Sequence, residues 1–500
     1  MTRLNSFRRA LVTGLMGTGA SVVYGIFFVP TCLAFLEVAQ YGMWALVLQL
    51  YRYLEILDFG ASGAVFRLMS DSCQSQNKER LARIWTASLA AQGVQGLLIL
   101  LLGMGVVSFS SSLLAIPDER VAEFRFLFLS VILFGASRFC LRPFAMLVRA
   151  YQSHALLNLL TPIGLLGSLA ILFFSLRAGW GSSSLLLGFA WEWLISALGP
   201  CLICLLNGFL PPLRFWRFPR LADVRELFSF GSKLFLVQVS ILVTQSTPLL
   251  LASRLGGLEI AAAWAAGSRV ANLIKDCLTQ IDSAAAPGIF AMASRGETRQ
   301  MQVRLIELAG ISLGIGSLLA GLYGAFNYDF IQLWTNHKIS FPTIASVGLG
   351  IYVVLNAGFH LVALLAQARL QLSEMALGSL RELIFGPILS FLGWHFGGVV
   401  GLALAQVFSI LIGSFLPGFR LFLQFISLGF GSFLFQVLAP AIGVFFVSLT
   451  SGLFFAHIFS RPEWFSLVTS VTLGSMVAGL ICLGLFWSIF SPAWRMIRRM

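Results

Sequence analysis

The stretch from Tyr41 to Arg67 reads YGMWALVLQLYRYLEILDFGASGAVFR. It is long enough to cross a bilayer, because a spanning helix needs about 20 mostly apolar residues. Its apolar run nonetheless contains Arg52, Glu55 and Asp58. At about 100° per residue, Gln49, Arg52, Glu55 and Asp58 fall within an arc of about 180°, and Arg52 to Asp58 within about 120°. A charged group at the bilayer centre costs about 3 kcal/mol or more, so such residues face a cavity or a partner and not lipid. A helix over this stretch is therefore expected to line a wet space, with the rest of the chain as the wall around it.

Composition places the chain among multi-span membrane proteins. It is 58% hydrophobic with mean hydropathy +0.89, and 11% of its residues are charged, against about 25% in soluble domains. The net charge is +13. In a soluble domain such an excess points to nucleic acid. Here it is read first as the excess of Lys and Arg in cytoplasmic loops and second as a sign of an anionic substrate. Of the seven cysteines, Cys201 and Cys204 form a CxxC, but inside an apolar run and without a second pair, so packing is favoured over a metal or redox role. The N-terminal MTRLNSFRRA precedes an apolar run, Leu11 to Leu36, that is too long for a signal peptide and reads as an uncleaved first span.

Enzyme chemistry finds no place in the chain. It has no GxxxxGK[ST] phosphate loop and no HExxH, and its five histidines are dispersed. Asp58-Phe59-Gly60 spells a kinase tripeptide without the other kinase elements. The small residues from Gly60 to Gly63 are expected to serve close helix packing. No long polar segment is present to carry catalysis, and no cofactor is expected.

Apolar windows near 11–33, 41–66, 84–108, 124–148, 156–177, 183–207, 229–253, 258–290, 305–327, 343–367, 375–393, 397–417, 433–457 and 465–490 give about fourteen spans. Boundaries are least marked at 394–398 and 418–432. With the N-terminus inside, cytoplasmic segments hold about twenty Lys and Arg and the opposite loops about four, which puts both termini in the cytoplasm. The expected organisation is an all-α polytopic membrane protein. It comprises an N-lobe of six spans (1–207), a cytoplasmic linker rich in Pro and Arg (208–228), a C-lobe of six spans (229–417), and two further spans with a basic tail (418–500).

A repeat supports the two lobes. Leu33–Arg83 and Leu251–Arg304 follow the same plan, with Trp44 matching Trp264 and Met69 matching Met292. An even number of spans per half makes the repeat parallel, as in several transporter families. In the second half, Arg269, Asn272, Asp276, Thr279 and Ser283 recur every three or four residues and share one helix face, with Lys275 and Asp282 at its edge. Two such polar stripes imply a shared aqueous cavity. The alternative is internal pairing, Arg52 with Glu55 and Arg269 with Asp276. Arg138 and Arg142 are four apart in the fourth span and share a face, next to Pro143. Glu192 lies mid-span in the sixth and His360 mid-span in the tenth. Each is a candidate for carrying a coupling proton or for a structural hydrogen bond. Lys233 either snorkels or faces the cavity, and Arg381 and Glu382, near the start of the eleventh span, are expected to pair with other residues near the cytoplasmic surface.

Tyr41-Gly42-x-Trp44, then Leu57-Asp58-Phe59-Gly60 with small residues and Arg67, resembles the second span of bacterial polysaccharide (O-antigen-type) flippases of the multidrug/oligosaccharidyl-lipid/polysaccharide exporter superfamily. The resemblance extends to span number, length, topology and repeat. It implies two six-helix lobes in a V, with two extra C-terminal helices like those of the related lipid II flippases. It also implies alternating-access transfer of an undecaprenyl-pyrophosphate-linked oligosaccharide across the bacterial inner membrane. Arg52 and Arg269 match cavity arginines of those relatives by span and depth.

The chemistry agrees, because the planar fork of arginine suits phosphate. Arg52, Arg138, Arg142 and Arg269 are the expected pyrophosphate contacts, and Gln49, Asn272 and Gln280 the expected glycan-facing groups. Glu55, Asp58, Glu192, Asp276 and His360 are the expected gates, salt-bridge partners or ion-coupling sites. Energy is expected from a proton or sodium gradient or from downstream consumption of the glycan, and glycan polymerase machinery is a candidate partner. The competing readings are a lipid II flippase, a multidrug cation antiporter, which would need an acidic cavity, and a membrane glycan polymerase or ligase, which would need a long outer loop.

Overall fold

The computed structural model describes residues 3–109, 114, 116–229, 232–368, 372–426, 431, 434–459 and 463–498. The chain divides into two units, Met1–Gln238 with Ser253–Glu259, and Val239–Ala252 with Ile260–Met500. Among the described residues both units are helical and contain no strand.

Unit 1 begins with α1 (Arg3–Phe35) and α2 (Val38–Leu54), followed by a 3-10 turn at Glu55–Asp58 and α3 (Ala61–Gln74). The long helices α4 (Lys78–Ser108), α5 (Asp118–Ala150) and α6 (His154–Arg177) come next. Then α7 covers Ser183–Leu206 with a π-turn at Leu194–Leu198, and the short α8 covers Leu221–Ser229. Of these, α5 runs on through Pro143. The inner packing of α3, α4 and α5 centres on Val65, Met69, Trp85 and Leu147, each fully buried, and Leu227 of α8 closes the same cluster.

In unit 2, α9 (Ser232–Gly256, with 232–238 and 253–256 belonging to unit 1) leads to α10 (Leu258–Gly267, in unit 2 from Ile260) and α11 (Arg269–Ser294). These are followed by α12 (Thr298–Trp334), α13 (Thr343–Ala368), α14 (Leu372–Ile410), α15 (Leu416–Ile426), α16 (Ala439–Ile458) and α17 (Trp464–Arg498). One core joins α12, α13 and α15 through Leu305, Leu313, Leu361, Phe415 and Phe422; a second joins α12, α16 and α17 through Phe326, Phe445 and Leu467. Outward faces are apolar as well, with Phe174, Leu206 and Phe465 at 68%, 77% and 82% exposure. A helix that is hydrophobic all round belongs in a bilayer, where its own hydrogen bonds satisfy the backbone.

All fourteen apolar windows are mainly helical where described, and among the described residues ten helices are each long and apolar enough to span. One of these, Leu377–Phe425, contains two windows, separated where Gly397 and Gly398 leave helical geometry. The other three windows, 41–66, 229–253 and 258–290, are helical but fall outside the ten. Two of them are interrupted, at Glu55–Gly60 and at Ser268. The expected boundary at 418–432 is helical to Ile426, and 427–430, 432 and 433 lie outside the described residues, as does the Lys233 side chain.

The opening stretch therefore departs from a continuous helix. Phe59 and Gly60 both adopt left-handed backbone, at φ 48° and 74°. The second of these is a conformation that glycine takes without steric cost. Gly60 thus makes a turn, a side chain at Gly63 would meet nothing within 4 Å, and of this run Ala61 is the small residue that packs, being fully buried. Glu382 finds its partner within unit 2. It is buried, and its carboxylate accepts a hydrogen bond from the Ser414 hydroxyl at 2.6 Å. The side chain lies against Gly413 of the π-turn at Leu411–Phe415, so its partner comes from packing inside the unit.

Candidate functional site

The 3-10 turn explains why two acidic residues can serve one cation. In an α-helix, Glu55 and Asp58 would diverge by about 60°, whereas the threefold repeat of a 3-10 helix stacks residues three apart. Both carboxylates converge on Arg142 of α5. Its Nη2 donates to Glu55 Oε1 at 3.1 Å and its Nη1 to Asp58 Oδ1 at 3.2 Å. The guanidinium also lies 3.9 Å from the centre of the Phe139 ring, a favourable cation–π placement. Asp58 caps α3 as well, accepting from the Ser62 hydroxyl at 2.6 Å and from the Ser62 amide at 3.3 Å. Its carbonyl accepts from the Gln95 amide of α4 at 3.0 Å.

Tyr51 completes this arrangement by donating its hydroxyl to Glu55 at 3.4 Å. Its ring packs directly on Gly135 of α5, where an added Cβ would overlap it. Gly135→Ala is therefore expected to displace Tyr51 and destabilise the protein by about 1–3 kcal/mol, the usual range for overpacking. Thermal unfolding of the purified variant in detergent checks this.

Beside the turn, unit 1 contains a cavity of about 390 Å³. Its wall includes Glu55, Arg138, Arg142, Arg149, Thr161 and Glu192. Arg138 faces Glu192 across 3.7 Å. The three arginines are spaced by four and seven residues, so they lie within about 40° of one another along about 16 Å of α5. Arg149 is exposed and makes no ion pair among the described residues. Sequence reasoning placed Arg149 in a loop and missed it. The signal was present, since it continues the Arg138 and Arg142 face by two further turns.

The other expected residues are distributed differently. Arg52 is exposed on α2 and has no ion pair among the described residues, so it does not pair with Glu55. Gln49 is half-buried on the same helix. In unit 2, Asn272, Asp276 and Gln280 are exposed on α11, and Arg269 is half-buried with its Nε lacking a hydrogen-bond partner. Arg269 and Asp276 form no salt bridge among the described residues. Asp282 is buried and accepts from Ser312 at 2.7 Å. His360 lies half-buried on α13, within electrostatic reach of Lys275. Trp44 and Trp264 are both buried and each packs edge-on to a phenylalanine, Phe189 and Phe341. Cys201 and Cys204 form no disulfide, and their thiols bond to carbonyls of Ala197 and Phe144.

No curated protein matches the chain. Solved structures do. An inward-facing multidrug-resistance MATE transporter of the MOP superfamily superposes with TM-score 0.68 at 12% identity, over 84% of this chain and 98% of that one. The lipid II flippase MurJ, in an inward closed conformation, superposes with TM-score 0.67 at 12% identity over 97% and 99%. A MOP superfamily transporter from Pyrococcus furiosus with a pocket described as reversed in polarity gives 0.60 at 14% identity, over 84% and 95%. These likenesses establish the MOP fold. The family model described as "Polysaccharide biosynthesis protein" matches residues 8–293, a region that contains the entire arginine-lined cavity, and the chain is a member of that family.

Proposed function

We propose that this protein is a flippase that moves a polyprenyl-pyrophosphate-linked oligosaccharide across the bacterial inner membrane, with both termini cytoplasmic. The observation that carries this reading is the cavity with Arg138, Arg142 and Arg149 on one face of α5. A pyrophosphate headgroup does not cross hydrocarbon unaided, and guanidinium groups replace its hydration with charge-assisted, forked hydrogen bonds. The prenyl chain needs no such help and stays in lipid. Arg142 is already held by two carboxylates, so Arg138 and Arg149 are the cations proposed to take the phosphates, with Glu192 released from Arg138 as they bind. Asn272 and Gln280, exposed on α11, are proposed contacts for glycan hydroxyls, and Arg269 an additional phosphate contact.

The family description and the MOP fold support the reading. Three arginines against two glutamates on the cavity wall disfavour a cationic drug as cargo. Lipid II shares the pyrophosphate and is the alternative substrate. The proposed cycle is alternating access, driven by an ion gradient or by downstream consumption of the glycan. Transfer of a labelled lipid-linked oligosaccharide across proteoliposomes is the direct test. Transfer of the oligosaccharide without transfer of lipid II supports the proposed substrate, the reverse pattern selects peptidoglycan synthesis, and inactivity toward both ends the flippase reading.

A further inference from the structure

The segment after α7 is pinned to unit 1 at several points. It turns at Gly208, whose following residue Phe209 stacks on Tyr151 at 4.5 Å and 9°. A 3-10 turn follows at Leu213–Phe215, and the Trp216 indole donates to the Pro211 carbonyl at 2.9 Å while packing beside the buried Trp85. Val224 and Leu227 of α8 then insert into the core of α3, α4 and α5. The segment is thus a fixed strap.

What the strap presents outward is unusual in kind. Phe218 is 94% exposed and Leu213 is 76% exposed. Between and beside them stand Arg214, Arg217 and Arg220, all exposed and none in an ion pair among the described residues. Arg214 lies 4.7 Å from the centre of the Phe215 ring. The strap starts two residues beyond Leu205 and Leu206, which are exposed at the end of α7, a helix long and apolar enough to span, and a segment leaving such a helix emerges at headgroup level. An excess of arginine in a cytoplasmic loop follows from topology alone. That rule does not account for apolar side chains held outward among the arginines, nor for the contacts of Phe209, Trp216 and Leu227 that fix the segment.

We propose that the strap is a binding site for anionic phospholipid of the cytoplasmic leaflet. Arg214, Arg217 and Arg220 would contact headgroup phosphates, while Leu213 and Phe218 enter the acyl boundary. Each basic residue at a surface of this kind contributes modestly, and apolar insertion supplies the second component needed for stable attachment. The inference takes its cytoplasmic side from the topology proposed above and does not depend on what the protein transports.

The test uses the full chain in a neutral detergent, with native mass spectrometry of bound phosphatidylglycerol, phosphatidylcholine or inorganic phosphate. Wild type is expected to retain phosphatidylglycerol in preference to phosphatidylcholine, and inorganic phosphate is expected not to compete. The triple substitution Arg214→Gln, Arg217→Gln, Arg220→Gln should weaken retention on the order of tenfold or more. Phe218→Ser, at a position too exposed to affect folding, should weaken it with all arginines in place. Retention unchanged in the triple variant overturns the proposal. Equal competition by inorganic phosphate would reduce the strap to a general anion site, and an unaffected Phe218→Ser would reduce it to a topology signal. Either result also rejects the proposal.

Discussion

Arg142→Ala is expected to destabilise the protein by about 3 kcal/mol, at the low end of the range for breaking a buried ion pair because Glu55 is a third exposed. The loss comes less from the missing attraction than from what remains. Two carboxylates, stacked by the 3-10 turn and largely shielded from solvent, would face each other without a cation. Glu55→Gln with Asp58→Asn should recover much of the loss in the Arg142→Ala background, since the repulsion and the desolvated charge go together. Arg142→Lys should fall between, because a point charge cannot bond both acids in the way a planar fork does. Thermal unfolding of the four proteins in one detergent measures the series. An Arg142→Ala variant as stable as wild type would show that the carboxylates are supported by solvent or by other groups, and that the turn does not depend on this arginine.

Arg138→Ala and Arg149→Ala are expected to behave in the opposite way. Each should reduce transfer of lipid-linked oligosaccharide in proteoliposomes on the order of tenfold or more, the value of a hydrogen bond to a charged group, while melting close to wild type. The reason is local. Among the described residues Arg149 has no ion-pair partner and the ion pair of Arg138 is the 3.7 Å contact with Glu192, so neither is expected to hold the fold together. Glu192→Gln removes that competitor and should leave transfer intact or raise it. Arg52→Ala and Arg269→Ala measured alongside separate the cavity of unit 1 from the arginines that span and depth first suggested. Normal transfer by the Arg138 and Arg149 variants, with loss in Arg52→Ala or Arg269→Ala, would move the phosphate site away from α5.

The two predictions assign different tasks to arginines that look alike in the sequence. Arg138 and Arg142 are four residues apart on one helical face, and periodicity makes them equivalent. Their difference arises from the element opposite. The Glu55–Asp58 turn presents two acids to Arg142, whereas the α7 helix presents Glu192 alone to Arg138. That distinction required a local switch from α to 3-10 geometry between Leu54 and Ala61, which the helical periodicity of Tyr41–Arg67 gave no cause to expect. Gly60 was the available signal, since glycine two residues after an acid before a small-residue run marks a left-handed turn as readily as a packing contact.

Hydropathy and charge by themselves determined that this chain is a helical, multi-span membrane protein, because apolar runs of spanning length have no stable alternative in a bilayer. They also singled out Arg138, Arg142, Glu55, Asp58 and Glu192, because buried charge is too costly in a membrane to be accidental. Only the tertiary structure decided which of these satisfy one another, that Arg149 joins the same cavity, that Glu382 is held inside its unit by Ser414, and that the arginine-rich linker is a fixed strap. The physical reason is that periodicity assigns a residue to a face of its own helix, while its partner is set by the approach of other helices. That approach depends on side-chain packing among residues far apart in the chain, such as Tyr51 against Gly135 and Leu227 against Trp85.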